Sequence, residues 1–151
     1  QLIILDEPFS GLDPVNAELL KEGILSLKKQ GSCVIFSSHN MEHVEKICDH
    51  LVMLNNGKSV LNGVVHEIRE SFGRTKVFLE SPITRDEIAL LDGVTDVRER
   101  EDQTLEITLS NPEVGKEIFR LATADGYIPM FNQQPPTLEE IFKQKVGEAN
   151  V

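Results

Sequence analysis

Cysteine is scarce in this chain. Cys33 and Cys48 are the only two among 151 residues, too few and too apolar in their settings for a disulfide framework or a metal cage. Two reduced thiols packed inside a cytosolic protein are expected instead. No apolar run approaches the roughly 18–20 residues that cross a bilayer. The chain opens on Gln1 with neither a basic segment nor a cleavage site, so no signal peptide is expected. Positive charge is short as well: 15 basic residues stand against 25 acidic ones, a net charge of −10. That balance counts against nucleic-acid backbone or an anionic lipid surface as a partner. What remains is ordinary globular composition, 40% apolar and 26% charged, which excludes disorder and collagen-like structure.

Along the chain, Leu2–Leu5 is a continuous aliphatic run ending in Asp6-Glu7-Pro8, which reads as a strand buried on both faces, as in a helix-covered parallel sheet. Ser10-Gly11-Leu12-Asp13-Pro14 is turn chemistry. Asp13 is placed to cap a helix and Pro14 to begin it. Leu19, Leu20, Ile24 and Leu27 give that helix an apolar stripe, and Gly31 ends it. A second buried strand, Cys33–Phe36, leads into Ser37-Ser38-His39. Met41, Val44, Ile47 and Cys48 mark the inner face of a short helix. Leu51–Leu54 reads as a third strand of the same sheet, and Asn55-Asn56-Gly57 as a hairpin turn into Ser59–Leu61. Strand and helix alternate as in an open α/β parallel sheet.

The pattern changes near Gly73-Arg74. Lys76–Glu80, Val94–Arg100 and Leu105–Leu109 alternate apolar with polar residues, as strands with one wet face do. Thr84–Leu91 and Pro112–Ala124 have helical spacing, Tyr127–Phe131 reads as a strand, and Thr137–Val146 as a final helix. That order predicts a small α+β split βαβ (ferredoxin-like) unit over residues 74–151, following an α/β unit over residues 1–73. Charge divides with it, −3 over residues 1–74 and −7 over residues 75–151.

Ligands of open parallel sheets bind at the carboxyl ends of the strands. Two polar clusters fall there: Asp6-Glu7, and Ser37-Ser38-His39. A carboxylate at such an edge can face a hard cation, a neighbouring one can take a proton from a nucleophile, and an imidazole can donate to a phosphate oxygen. Read alone, an Asp-Glu pair is as easily a strand-end or helix cap. The three ordered stretches, Leu2-Ile3-Ile4-Leu5-Asp6-Glu7-Pro8, Ser10-Gly11-Leu12-Asp13-Pro14 and Ser37-Ser38-His39, resemble the Walker B strand, the D-loop and the switch-histidine loop of ABC-transporter ATP-binding subunits. The resemblance is strong over roughly residues 1–70. It continues more weakly to Pro136-Thr137-Leu138-Glu139-Glu140-Ile141-Phe142, which is similar to the end of an accessory C-terminal domain on some bacterial ABC ATPases of the export type.

This resemblance implies ATP and Mg2+ as cofactors and assigns roles. Asp6 would hold magnesium through water, Glu7 would polarise the attacking water, and His39 would hydrogen-bond the γ-phosphate. Ser10, Gly11 and Asp13 would lie in the loop facing a second ATP-binding subunit, most simply a second copy in a homodimer. Separate transmembrane permease subunits are implied as partners, no nucleic acid is, and the site of work is the cytoplasmic, inner face of the membrane. Asn40 departs from the acidic residue common after the histidine. The chain holds neither a Gly-x-x-x-x-Gly-Lys-Ser/Thr loop nor a Leu-Ser-Gly-Gly-Gln-like signature. Gly57-Lys58-Ser59 lacks the first glycine, Val52 standing in its place, and lies in a hairpin. By resemblance those elements precede the Asp6-Glu7 strand. The 151 residues alone are therefore expected neither to bind ATP tightly nor to turn it over, and Leu2–Leu5 to leave apolar surface exposed or covered by a neighbouring copy.

Other residues have plainer readings. His39, His43, His50 and Asp49 could be imagined as a metal cluster, but no Glu follows His39, and solvated histidines are the simpler expectation. His66 reads as a surface residue, and Arg98-Glu99-Arg100-Glu101-Asp102 as a solvated turn. Phe119, Tyr127, Phe131 and Phe142 are spaced like the core of the second unit. Two alternatives to a transporter ATPase are a regulatory or dimerisation module built on residues 75–146, and a non-transport ABC ATPase. The acidic balance disfavours the latter.

Overall fold

The computed structural model describes residues 1–149. They divide into two compact units, one of residues 1–65 with the end of the last helix from Phe142, the other of His66–Ile141.

In the first unit, β1 (Leu2–Leu5) and β2 (Cys33–Phe36) form a parallel pair joined by α1 (Pro14–Lys29). The register sets Leu2 beside Cys33 and Leu5 beside Phe36. One face of the pair, carrying Leu5, Val34 and Phe36, packs on a core of Phe9, Ile24 and Ile47, with Ala17, Leu20 and Leu25 of α1 around it. Burying a side chain such as Ile24 stabilises by roughly 1.5–3 kcal/mol. The other face is open, with Leu2 59% and Ile4 70% exposed, and Cys33 exposed beside them. The expected burial on both faces is thus corrected, as is the packing of Cys33, whereas the apolar surface expected to stand exposed at Leu2–Leu5 does so. Pleating sends alternate residues of these apolar strands to opposite sides, and among the described residues one side packs on a helix while the other is exposed. The apolar stripe of α1 also rotates, since Leu19 is exposed and Ala17 and Leu25 pack instead.

The short helix α2 (Met41–Ile47) follows, with Ile47 buried. The next strand corrects a second expectation. β3 (His50–Asn55) does not extend the parallel pair but runs antiparallel to β4 (Lys58–Val64) in a separate two-stranded sheet. Asn56 and Gly57 link them with φ of +49° and +74°, the left-handed pair that a two-residue hairpin turn requires.

In the second unit, α3 (Val65–Ser71) carries Arg69, whose guanidinium donates to the carbonyls of Pro136 at 3.0 Å and Pro135 at 3.2 Å. That anchorage explains why the compact unit begins at His66, within α3, although the strand pattern changes only after Gly73. β5 (Lys76–Glu80), α4 (Arg85–Ala89), β6 (Val94–Glu99), β7 (Leu105–Leu109), α5 (Val114–Ala122) and β8 (Met130–Gln134) follow, then α6 (Leu138–Ala149). The four strands form one antiparallel sheet in the order β6-β7-β5-β8. Alternate residues Val77, Leu79, Val97, Leu105, Ile107 and Leu109 leave its buried face and pack with Ile88 of α4 and Ile118 and Ala122 of α5. The buried core is aliphatic, with Phe131 packed against it as expected; the expectation is corrected for Tyr127, which is 91% exposed, and for Phe119, which stands half out against Phe131 at 5.1 Å. The last strand sits three residues later than Tyr127–Phe131, over Met130–Gln134. There, at the sheet edge, Asn132, Gln133 and Gln134 pair with β5.

Candidate functional site

The register of the parallel pair builds the site. Leu5 faces Phe36, and Ser37 N donates to Leu5 O at 3.0 Å, so the residues just past both strands lie side by side. Ser37 Oγ accepts from Glu7 N at 2.8 Å and donates to Asp6 Oδ1. His39 Nδ1 lies 3.0 Å from Glu7 Oε2; a carboxylate oxygen only accepts, so the ring nitrogen carries the hydrogen. Four polar side chains from two stretches 30 or more positions apart thus converge at one strand edge.

Glu7 has φ +44°, a left-handed conformation for a residue with a Cβ that also precedes a proline. Such a conformation costs on the order of 1–3 kcal/mol and persists where its surroundings over-determine it. Besides Ser37, two features do so. Ser10 N donates to Glu7 O at 3.0 Å, closing a turn. Phe9 is buried, edge-on to Phe36 with ring centroids 6.0 Å apart and against the His43 ring at 4.2 Å. The turn is therefore pinned from below while Asp6 faces solvent.

The loop residues take different places. Gly11 adopts φ +74°, where glycine carries no side-chain penalty, and Ser10 is exposed. Asp13 caps α1 as its position predicts. Its Oδ1 accepts from Val15 N at 3.0 Å and Asn16 N at 3.1 Å, and Oδ2 accepts from the Asn16 amide. Hydrogen bonds from the Asn16 side chain and backbone hold its carboxyl below the ordinary value. Asn40 caps α2, accepting from Glu42 N at 2.9 Å and His43 N at 3.2 Å, which fixes the backbone immediately after His39.

Sequence reasoning left Ser37 inside a motif without a role; the available signal was its place one residue past a strand, opposite Asp6. His43 departs from the expected solvated histidine: its ring lies on Phe9, and Nδ1 is buried without a hydrogen-bond partner among the described residues. His50 Nε2 lies 3.3 Å from Asn62 Oδ1. Among the described residues, no three His, Cys, Asp or Glu side chains gather as a metal cluster. His66 is exposed.

Two charged groups of the second unit are more than a solvated surface. Arg100, in the expected solvated turn, lies 4.5 Å over the Phe78 ring and pairs with Glu106 at 2.9 Å. Lys76, whose side chain is mostly buried, pairs with Glu140 at 2.6 Å and Glu106 at 3.4 Å and donates to Thr108 Oγ1 at 3.0 Å. Thr137 and Glu140 form reciprocal bonds at the start of α6: Thr137 N donates to Glu140 Oε2 at 2.9 Å and Glu140 N to Thr137 Oγ1 at 3.3 Å, the capping box. Burial pushes the Glu140 carboxyl up, but hydrogen bonds from Lys76 and Thr137 outweigh it and leave the group below its ordinary value.

Residues 63–146 match the family described as ATP-binding protein DrrA1-3-like, C-terminal domain. Over 99% of its length the chain is 42% identical to an ABC transporter ATP-binding protein of Alkalihalophilus pseudofirmus, covering 55% of that protein. Over 97% it is 43% identical to the ABC transporter ATP-binding protein YhaQ of Bacillus subtilis, covering 49% of it. Nod factor export ATP-binding protein I of Rhizobium etli is 32% identical over 97% of the chain and is covered over 46% of its own length. The chain spans about half the length of these relatives. It belongs to the ABC transporter ATP-binding proteins that carry a DrrA1-3-like C-terminal domain.

Proposed function

We propose that the chain supplies the water-activating edge of an ATP-hydrolysing ABC transporter subunit of the export type. The observation that carries this is the convergence of Asp6, Glu7, Ser37 and His39 past two adjacent parallel strands, with Glu7 Oε2 3.0 Å from His39 Nδ1. In this reading Glu7 orients and polarises the water that attacks the γ-phosphate, and His39 directs a hydrogen bond at that phosphate. The donor set suits the metal: the Asp6 carboxylate is a hard, solvent-facing oxygen group of the kind magnesium takes, with water completing its shell. Asp6 would hold the ion through water, and bound magnesium supplies neutralisation of charge on the transferring phosphoryl group. Ser10, Gly11 and Asp13 face a second ATP-binding subunit, with the Asp13 carboxylate committed to stiffening that loop through its helix cap.

Residues 1–73 form the hydrolase part and residues 74–151 the accessory domain. The strand order β6-β7-β5-β8, with α4 and α5 in the intervals β5–β6 and β7–β8, supports the split βαβ (ferredoxin-like) reading of the latter. The export reading is supported by the relative named Nod factor export ATP-binding protein I. Transmembrane permease subunits would be separate chains, with this one peripheral at the inner membrane face; no helix among the described residues is long and apolar enough to cross.

The test is phosphate release from magnesium-ATP by the protein that carries this chain. Glu7→Gln keeps the shape and removes the base, so turnover is expected to fall on the order of 10²–10⁴-fold while nucleotide binding persists. Turnover within about twofold of the parent sinks the assignment.

A further inference from the structure

We infer that Ser37 is a positioning residue for hydrolysis, setting the Glu7 backbone and the Asp6 carboxylate together through one hydroxyl. The inference rests on the nucleotide-hydrolase reading of this site. Ser37 Oγ has two partners with complementary roles. It accepts from Glu7 N at 2.8 Å and donates to Asp6 Oδ1, so the proton of the hydroxyl is directed at the carboxylate and a lone pair at the amide. Its position is itself fixed, because Ser37 N donates to Leu5 O at 3.0 Å and extends the parallel pairing one residue beyond Phe36.

The consequence falls on Glu7. With φ +44°, its side chain leaves the chain in a direction that an extended residue at the same place would not give, and that direction brings Oε2 to His39 Nδ1. An isolated peptide would not hold a glutamate before proline in that conformation. The amide bond to Ser37 Oγ ties down the Glu7 nitrogen, and the Ser10 bond closes the turn on its carbonyl. Removing the hydroxyl releases two restraints at once: Glu7 N loses its acceptor, and Asp6 Oδ1 loses the donor that orients it. Ser38, next in sequence, is turned elsewhere, its Oγ accepting from Asn40 N at 3.1 Å. Of the two adjacent serines, Ser37 therefore bridges the Asp6 carboxylate and the Glu7 amide. A threonine at position 37 keeps a hydroxyl on the same carbon, whereas alanine does not, and this separates a hydrogen-bonding role from mere filling of space.

The experiment compares the parent with Ser37→Ala and Ser37→Thr in the ATP-hydrolysing protein that carries this chain. It reads steady-state kcat and KM for magnesium-ATP, the melting temperature, and deuterium uptake at the Glu7 amide. Expected is a fall in kcat of about ten- to a hundredfold for Ser37→Ala, the scale of a misplaced catalytic group. KM should stay within about threefold, since the hydroxyl orients groups already in place rather than supplying uniform binding. Glu7 amide exchange should be faster in Ser37→Ala, and Ser37→Thr should restore both kcat and protection. Parent-like kcat and a still-protected Glu7 amide in Ser37→Ala overturn the inference. So does equal loss in both variants with a lowered melting temperature, which marks a structural role. A parent that hydrolyses no ATP refutes the nucleotide-hydrolase reading and with it the catalytic consequence, while the amide exchange still tells whether Ser37 holds Glu7.

Discussion

Glu7 and His39 meet at 3.0 Å between Oε2 and Nδ1, although 32 positions separate them in sequence. The His39 side chain is 83% exposed, so a contact of this kind adds only about 0–1 kcal/mol to the fold. Its consequence is directional: the imidazole and the carboxylate fix one another at the open edge of the parallel pair. His39→Ala in the protein that carries this chain is therefore expected to lower ATP turnover by at least about a hundredfold while moving the melting temperature by no more than a few degrees. Phosphate release and thermal melting on the same samples check it. A variant that melts far lower and loses activity in proportion would make the contact structural.

The 151 residues contain no loop of the form Gly-x-x-x-x-Gly-Lys-Ser/Thr, whose backbone amides would cradle phosphates. The sole Gly-Lys-Ser, at 57–59, turns out to be the tip and first residues of the β3–β4 hairpin. Calorimetry with this chain by itself is expected to register no ATP binding at micromolar concentration. A micromolar dissociation constant would mean that Asp6, Ser37 and His39 hold a nucleotide without the amide cradle.

The contrast between what was readable and what was not has physical causes. β5 and β7 fall on Lys76–Glu80 and Leu105–Leu109 as expected, because each has one wet and one buried face and the alternation shows both. The Asn56-Gly57 turn is equally plain, since few residues tolerate two successive positive φ angles. Leu51–Leu54 misleads because an apolar run reports neither the direction of its partner strand nor two-sided burial, Leu51 and Met53 being buried while Val52 and Leu54 are exposed. β8 misleads because an edge strand can be built from Asn132, Gln133 and Gln134, and Pro129 blurs its start. At the site, residue types and spacing pointed to Asp6, Glu7 and His39. The Ser37 bridge joins residues 30 and 31 positions apart, and no local pattern encodes such a bond.

The two thiols differ in a way a labelling experiment can read. Cys33 is exposed on the open face of β2, while Cys48 is partly buried, and burial pushes the Cys48 thiol up to about 11. At pH 8 the Cys48 thiolate is on the order of 0.1% of the total, and the thiolate is the species that reacts. A disulfide reagent at that pH is expected to modify this chain in two phases, a fast one at Cys33 and a slow one at Cys48. Cys33→Ser should abolish the fast phase and leave the slow one. Two equally fast thiols would show that the environment of Cys48 opens readily.

The pairing of Lys76 with Glu140 predicts an acid limb in the stability of the second unit. Lys76 is 14% exposed in its side chain and Glu140 36%, with 2.6 Å between them. The Glu140 carboxyl lies below its ordinary value of 4.5 in the folded chain, because hydrogen bonds from Lys76 and Thr137 outweigh desolvation. A folded-state value below the unfolded one means stability that is present above about pH 4.5 and lost as pH falls through the folded value. Glu140→Gln keeps an acceptor for Thr137 but removes the charge, leaving Lys76 with Glu106 at 3.4 Å. The partial exposure of Glu140 discounts the loss, so the variant is expected to be about 1 kcal/mol less stable near pH 7. Urea unfolding at several pH values should show that gap narrowing as pH drops below about 4.5, the ordinary value, and on through the lower folded-state value of the parent carboxyl. A gap that persists unchanged at about pH 3 would place the effect of Glu140 in its reciprocal bonds with Thr137 rather than in its charge beside Lys76.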